Sequence, residues 1–128
     1  MPIEPGMTAT AKTLAGGGNL ASAMGSGALD VFATPAMVAL MEQAACLCLE
    51  GALEAGQTTV GTALVVAHTA ATPPGMEVSA TATVTAVDGR KVEFVVAARD
   101  EKEEIGRGTH TRFVVDAGRF MEKALSKG

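Results

Sequence analysis

Val31–Ala55, VFATPAMVALMEQAACLCLEGALEA, has the pattern of one long helix around which the rest of the chain is organised. Thr34-Pro35 opens it as a capping hydroxyl followed by proline at the first helical position, where a missing N–H is no loss. About five turns of Ala, Met, Leu and Cys follow with no helix breaker before Gly51. Met37, Leu40, Met41, Ala44, Ala45, Leu47 and Cys48 recur at three- and four-residue spacing, and little polar surface interrupts them before Glu50. A helix apolar nearly all round is expected to be buried on most sides. Glu42, near its middle, is the exception. A carboxylate is rarely buried unless it is paired or chemically employed. Gly56 stands where a left-handed residue after the helix C-terminus belongs.

Working outward, Met1–Gly6 reads as a loose lead-in and Met7–Leu14 as a first strand. Residues 16–30 form a glycine-rich, flexible connection, either a plain linker or a lid over a site near the start of the helix. Beyond the helix, Thr58–His68 is β-branched and apolar and is expected to be a largely buried strand. Thr72-Pro73-Pro74-Gly75 then breaks the chain. Glu77–Val87 alternates, with Val78, Ala80, Ala82, Val84 and Ala86 on one face, and Asp88-Gly89 signals a hairpin. Lys91–Arg99 repeats the alternation with Val92, Phe94, Val96 and Ala98 facing in. Asp100–Glu104 is a charged turn, Ile105–Val115 a last strand and Gly118–Lys127 a short amphipathic helix. One strand, one long helix and four hairpin-linked strands make a single α+β domain over residues 1–128. An antiparallel sheet of about five strands wrapped around one long central helix is the hot-dog arrangement. Its exposed threonine face and open edges point to a homodimer.

The composition excludes several partners. Aromatic residues are 3%, with no Trp or Tyr, which leaves no stacking platform for single-stranded nucleic acid. A net charge of −4 repels a phosphate backbone. Cys46 and Cys48, two apart on a helix, cannot bridge each other and read as buried free thiols in a reducing compartment. MPIEPGM lacks the basic and apolar regions of a signal peptide, and no apolar run reaches the ~18 residues of a membrane span. The cytoplasm is the expected location, with no membrane partner.

Thr34, Glu42, His68 and Arg112 stand out as polar residues in apolar or small surroundings. Thr34 looks like a helix cap. Glu42 has no basic residue within a helical turn, which favours a catalytic carboxylate. His68 closes a strand and gains chemistry only if it meets Glu42. His110 and Arg112 share a strand face; His110 reads as structural, Arg112 as a ligand contact or a surface salt bridge. No GxSxG elbow, phosphate-binding loop or metal-ligand spacing is present, so neither metal nor cofactor is expected.

Three blocks then resemble the fluoroacetyl-CoA thioesterase family of hot-dog proteins. They are Phe32-Ala33-Thr34-Pro35 through Glu42, Val60-Gly61-Thr62-Ala63 through His68 to Gly75, and Ile105-Gly106 through Gly108-Thr109-His110 to Arg112. The resemblance spans roughly Leu29 to Val115. It implies a homodimeric acyl-CoA thioesterase in which Thr34, Glu42 and His68 are catalytic and Gly61 and Arg112 contact the substrate. Coenzyme A is then part of the substrate. Glu42 is implied as nucleophile or general base. The fluoroacetyl-CoA enzyme has a phenylalanine-gated lid where Asn19–Asp30 here has no aromatic residue. Thr34 and Glu42, eight residues apart, are separated by about 12 Å along a straight helix. Either the helix begins after Thr34, or one of the two acts across a dimer interface. A non-catalytic acyl-CoA-binding module on the same fold is the other reading.

Overall fold

Strands β1 (Thr8–Leu14), β2 (Gln57–His68), β3 (Glu77–Asp88), β4 (Lys91–Arg99) and β5 (Glu104–Asp116) form one antiparallel sheet in the order β1-β3-β4-β5-β2. Helices α1 (Ala21–Met24), α2 (Thr34–Leu49) and α3 (Ala117–Leu125) complete the chain. The computed structural model describes residues 2–128, so Met1 of the expected lead-in lies outside the described residues. Among the described residues no helix is long and apolar enough to cross a membrane.

The alternation in β3 and β4 does what period two requires. Val78, Ala80, Ala82 and Val84, with Val92, Phe94, Val96 and Ala98, are all buried against α2. Small alanines on β1 and β3 let the helix lie close, and Met37, Leu40, Met41, Ala44, Ala45, Cys48 and Leu49 fill the space between. Burying each of the larger side chains contributes about 1.5–3 kcal/mol. A bulge between Val84 and Ala86 ends the alternation early and leaves Ala86 only partly buried.

Several expectations are corrected. The helix is not buried on most sides. Ala39, Gln43, Cys46 and Leu47 form an exposed strip, with Leu47 43% accessible, so only Cys48 of the two thiols is buried. Strand β2 is not largely buried either: it is one of the sheet's two edge strands, and Thr59 is its one buried residue. Val65 on that edge is 73% exposed. The helix gives way to a short 3₁₀ turn at Glu50–Ala52, and Gly56, at φ +82°, serves the turn into β2 rather than the helix end. The lead-in is not loose, because Ile3 and Met7 pack on the core and the Gly6 N–H donates to Val84 O.

Asp100 of the charged turn is buried. Its Oδ1 accepts the Lys102 and Glu103 N–H groups, and its Oδ2 accepts the Thr72 hydroxyl at 2.8 Å. Burial opposes its charge, but these donors hold its pKa below the usual carboxylate value. Thr72, with no exposed surface, thereby ties the proline-rich loop after His68 to the β4–β5 turn. The Thr72 carbonyl in turn accepts the N–H of Phe32, just ahead of α2.

Candidate active site

The first turn of α2 does not use Thr34 as a cap. Thr34 is already helical, Ala33 occupies the N-cap, and no side chain caps the terminus. The Thr34 hydroxyl instead lies 2.7 Å from His68 Nδ1, at the end of β2. The hydroxyl and the ring nitrogen thus share one proton in this hydrogen bond. Burial lowers the His68 pKa from its ordinary value, against a smaller opposing effect of the Ala70 backbone. His68 Nε2 is buried without a hydrogen-bond partner among the described residues, a deficit costing about 1–3 kcal/mol.

A cleft of about 390 Å³ opens against this pair. One wall is the glycine-rich connection, which contributes Ala21, Gly27, Ala28 and Leu29; Ala70 and Ala71 line the cleft as well, and no charged residue does. The connection contains structure that its glycines conceal. Asn19 bonds the Gly16 N–H and Leu14 O, the Ala21 N–H donates to Val31 O, and the Ser22 hydroxyl bonds Asp30. The segment is thus tied together ahead of α2 and forms one wall of the cleft.

Glu42 belongs to a second cluster. Arg112 on β5 donates Nη1–H to Glu42 Oε2 at 3.0 Å, so the missing basic partner comes from the far side of the fold. Arg112 is 6% exposed, and its Nε and Nη2 donate to Thr59 Oγ1 and Thr59 O. His110 Nδ1 donates to Ala63 O at 2.8 Å, leaving Nε2 to accept from Arg112 Nη1 at 3.2 Å. Burial chiefly, with Arg112 also contributing, lowers the His110 pKa against the pull of Ala63 and Glu42. A neutral His110 makes its 3.9 Å approach to Glu42 no ion pair. A Cβ on Gly61 would sit 2.5 Å from Glu42 Oε2, so glycine there leaves room for the carboxylate.

A bulge in β2 arranges both clusters. Gly61 and His68, seven apart, would face opposite sides of an unbroken strand. Gly61 pairs with Arg112, Leu64 with His110 and His68 with Gly106, so the register shift at Thr62 puts all of them on the concave face. Of the residues expected from the sequence, Thr34 and His68 lie in the first cluster and Glu42, Gly61 and Arg112 in the second, whereas Thr59 and the part His110 takes were not expected. Only the His110-to-Arg112 spacing signalled it.

Among the described residues no hydrogen bond joins the Thr34–His68 pair to the Glu42–Arg112 cluster. Helix α2 begins at Thr34 itself, so the later start that would bring Thr34 to Glu42 does not occur. About 12 Å of helix rise separates them.

Comparison with known proteins supplies the family. The family model for fluoroacetyl-CoA-specific thioesterases (FlK) matches residues 17–118. The chain belongs to the fluoroacetyl-CoA-specific thioesterase family. It is a thioester hydrolase by membership. A fluoroacetyl-CoA thioesterase of Streptantibioticus cattleyicolor is 46% identical over 98 residues, covering 77% of this chain and 70% of the relative. The crystal structure of a phenylalanine-to-alanine variant of FlK superposes with TM-score 0.94 at 36% identity, over 100% of this chain and 99% of that one. A Thermus thermophilus thioesterase-superfamily structure gives 0.88 at 26% identity, over 98% and 95%. Family members thus share the sheet, the central helix and the short terminal helix described above.

Both histidines have lowered folded-state values, so unfolding takes up protons in mildly acid solution. Their contribution to stability is whole above the ordinary histidine value of about 6.5 and is lost as pH falls toward the folded values. Thermal melts from about pH 7.5 down to about pH 5 are expected to show a falling Tm, with a shallower fall in His110→Phe. A Tm flat over that range would contradict the buried, neutral histidines.

Proposed function

We propose that this chain is a homodimeric acyl-CoA thioesterase of the cytoplasm whose active sites are shared between two copies. Thr34 and His68 of one copy work with Glu42 of the other. The observation that carries the reading is the Thr34–His68 hydrogen bond, because it takes a hydroxyl from the capping role its position invites and turns it to a cleft. The uncovered face of α2 and the free β2 edge supply what a partner copy would cover. If β2 pairs with its own copy about a two-fold axis near Leu64, His68 of one chain comes opposite Gly61 of the other. Gly61 abuts Glu42, so such pairing completes the site. The unpaired thiols suit a reducing compartment.

In the reaction, either water adds to the thioester carbonyl while Glu42 takes its proton, and the C–S bond then breaks, or Glu42 attacks the carbonyl, the C–S bond breaks to leave a mixed anhydride, and water then opens that anhydride. On both routes coenzyme A departs as thiolate. His68 stabilises the oxyanion or protonates the thiolate, and the Thr34 hydroxyl fixes the imidazole. Gly61 leaves space at the carboxylate, and Arg112 sits behind it. The uncharged, small-residue lining of the cleft suits a short, neutral acyl group.

Release of free coenzyme A from acetyl-, fluoroacetyl-, butyryl-, succinyl- and palmitoyl-CoA tests the reading. Turnover of the short neutral thioesters above the succinyl and palmitoyl ones is expected. No turnover of any, with acyl-CoA binding still measurable, would overturn it in favour of a binding module.

A further inference from the structure

We propose that Thr59 and His110 are positioning residues, which lock the Arg112 guanidinium so that Arg112 serves the Glu42 carboxylate and not the coenzyme A moiety. The inference rests on the reading of Glu42 as the catalytic carboxylate. Its own ground is the donor count. Arg112 makes four donated hydrogen bonds, to Thr59 Oγ1 at 2.9 Å, Thr59 O at 3.0 Å, Glu42 Oε2 at 3.0 Å and His110 Nε2 at 3.2 Å.

The two N–H groups of Nη1 are divided between Glu42 and His110, and Thr59 takes one each from Nε and Nη2. A diphosphate would have to strip these partners from a buried cation. The planar fork also fixes direction: with Thr59 holding one edge, Nη1 can point only along the line to Glu42. His110 is itself held, by Ala63 O on one side and by the Phe94 ring, 5.9 Å away between centroids, on the other. Ala63 follows the β2 bulge, so the same irregularity that aligns Gly61 with His68 also anchors the clamp. Glu42 Oε1 makes no hydrogen bond among the described residues, while Oε2 is held by Arg112. A carboxylate with one oxygen tied and one free is pre-aimed.

The test uses the full-length protein in four forms: wild type, Thr59→Val, Thr59→Ser and Arg112→Lys. Thr59→Val is isosteric and removes the Nε acceptor; Thr59→Ser keeps it. Steady-state hydrolysis of the best thioester is expected to show kcat lowered about 10-fold in Thr59→Val and about 100-fold in Arg112→Lys, with KM within about twofold. Thr59→Ser should restore kcat. In parallel, the Arg112 Nε–H resonance should be resolved and slowly exchanging in wild type and Thr59→Ser, and lost in Thr59→Val. That signal reports the clamp even if no thioester is turned over, so failure of the thioesterase reading is separable from failure of the clamp. A raised KM with kcat kept would overturn the proposal by making Arg112 a substrate contact. So would a Thr59→Val enzyme with unchanged kcat, or a loss that Thr59→Ser fails to restore.

Discussion

Replacing Glu42 with Gln is expected to lower kcat by about 10³-fold, roughly 4 kcal/mol of barrier, while leaving the fold intact. The carboxamide keeps the size of the side chain and offers an oxygen to Arg112 Nη1, so the Arg112 clamp with Thr59 and His110 survives. What is lost is the negative charge, and with it both the nucleophile and the base. A carboxylate whose only task was to neutralise Arg112 would show the reverse pattern, with stability falling and turnover kept. Circular dichroism and thermal melts beside the thiol-release assay separate the two. Activity within about threefold of wild type would remove Glu42 from the chemistry.

The Thr34–His68 pair carries the second large effect. His68→Ala is expected to cost about 10²–10³-fold in kcat, because the imidazole that Thr34 holds beside the cleft disappears. Thr34→Val should approach the same loss and Thr34→Ser should retain most activity, since the 2.7 Å contact needs the oxygen and not the methyl. The two residues act as a unit, so the double variant should lose no more than His68→Ala alone within about threefold. Losses that multiply would mean that Thr34 works independently of His68. The pair is exposed enough that neither change should unfold the protein: the Thr34 side chain lies at the helix start, outside the core.

Local pattern made much of this legible. Pro35 announced the start of α2, and Asp88-Gly89 and the alternation of Val92, Phe94, Val96 and Ala98 gave the β3–β4 hairpin and its buried face. Three things lay beyond local pattern. The first is the partner of Glu42, because Arg112 is seventy residues away in sequence and meets it only through the β2–β5 register. The second is the Thr62 bulge, since nothing in VGTALVVAH marks where one residue is skipped, and strict alternation would have sent His68 to the wrong face. The third is exposure. TTVGTALVVAH and the Cys46–Leu47 strip are apolar enough to read as core, yet a single chain leaves them open. Hydropathy records that a surface is covered, not whether its own chain or another covers it.

The same exposure underlies the central claim, that an active site takes Thr34 and His68 from one copy and Glu42 from another. Co-expression of Glu42→Gln and His68→Ala chains carrying different affinity tags, followed by purification on both, isolates the mixed dimer. One of its two sites then holds both substitutions and the other holds neither, so about half of wild-type turnover per dimer is predicted from two parents that are each nearly inactive. A mixed dimer no more active than its parents, or the failure of any mixed dimer to form, would contradict the shared site.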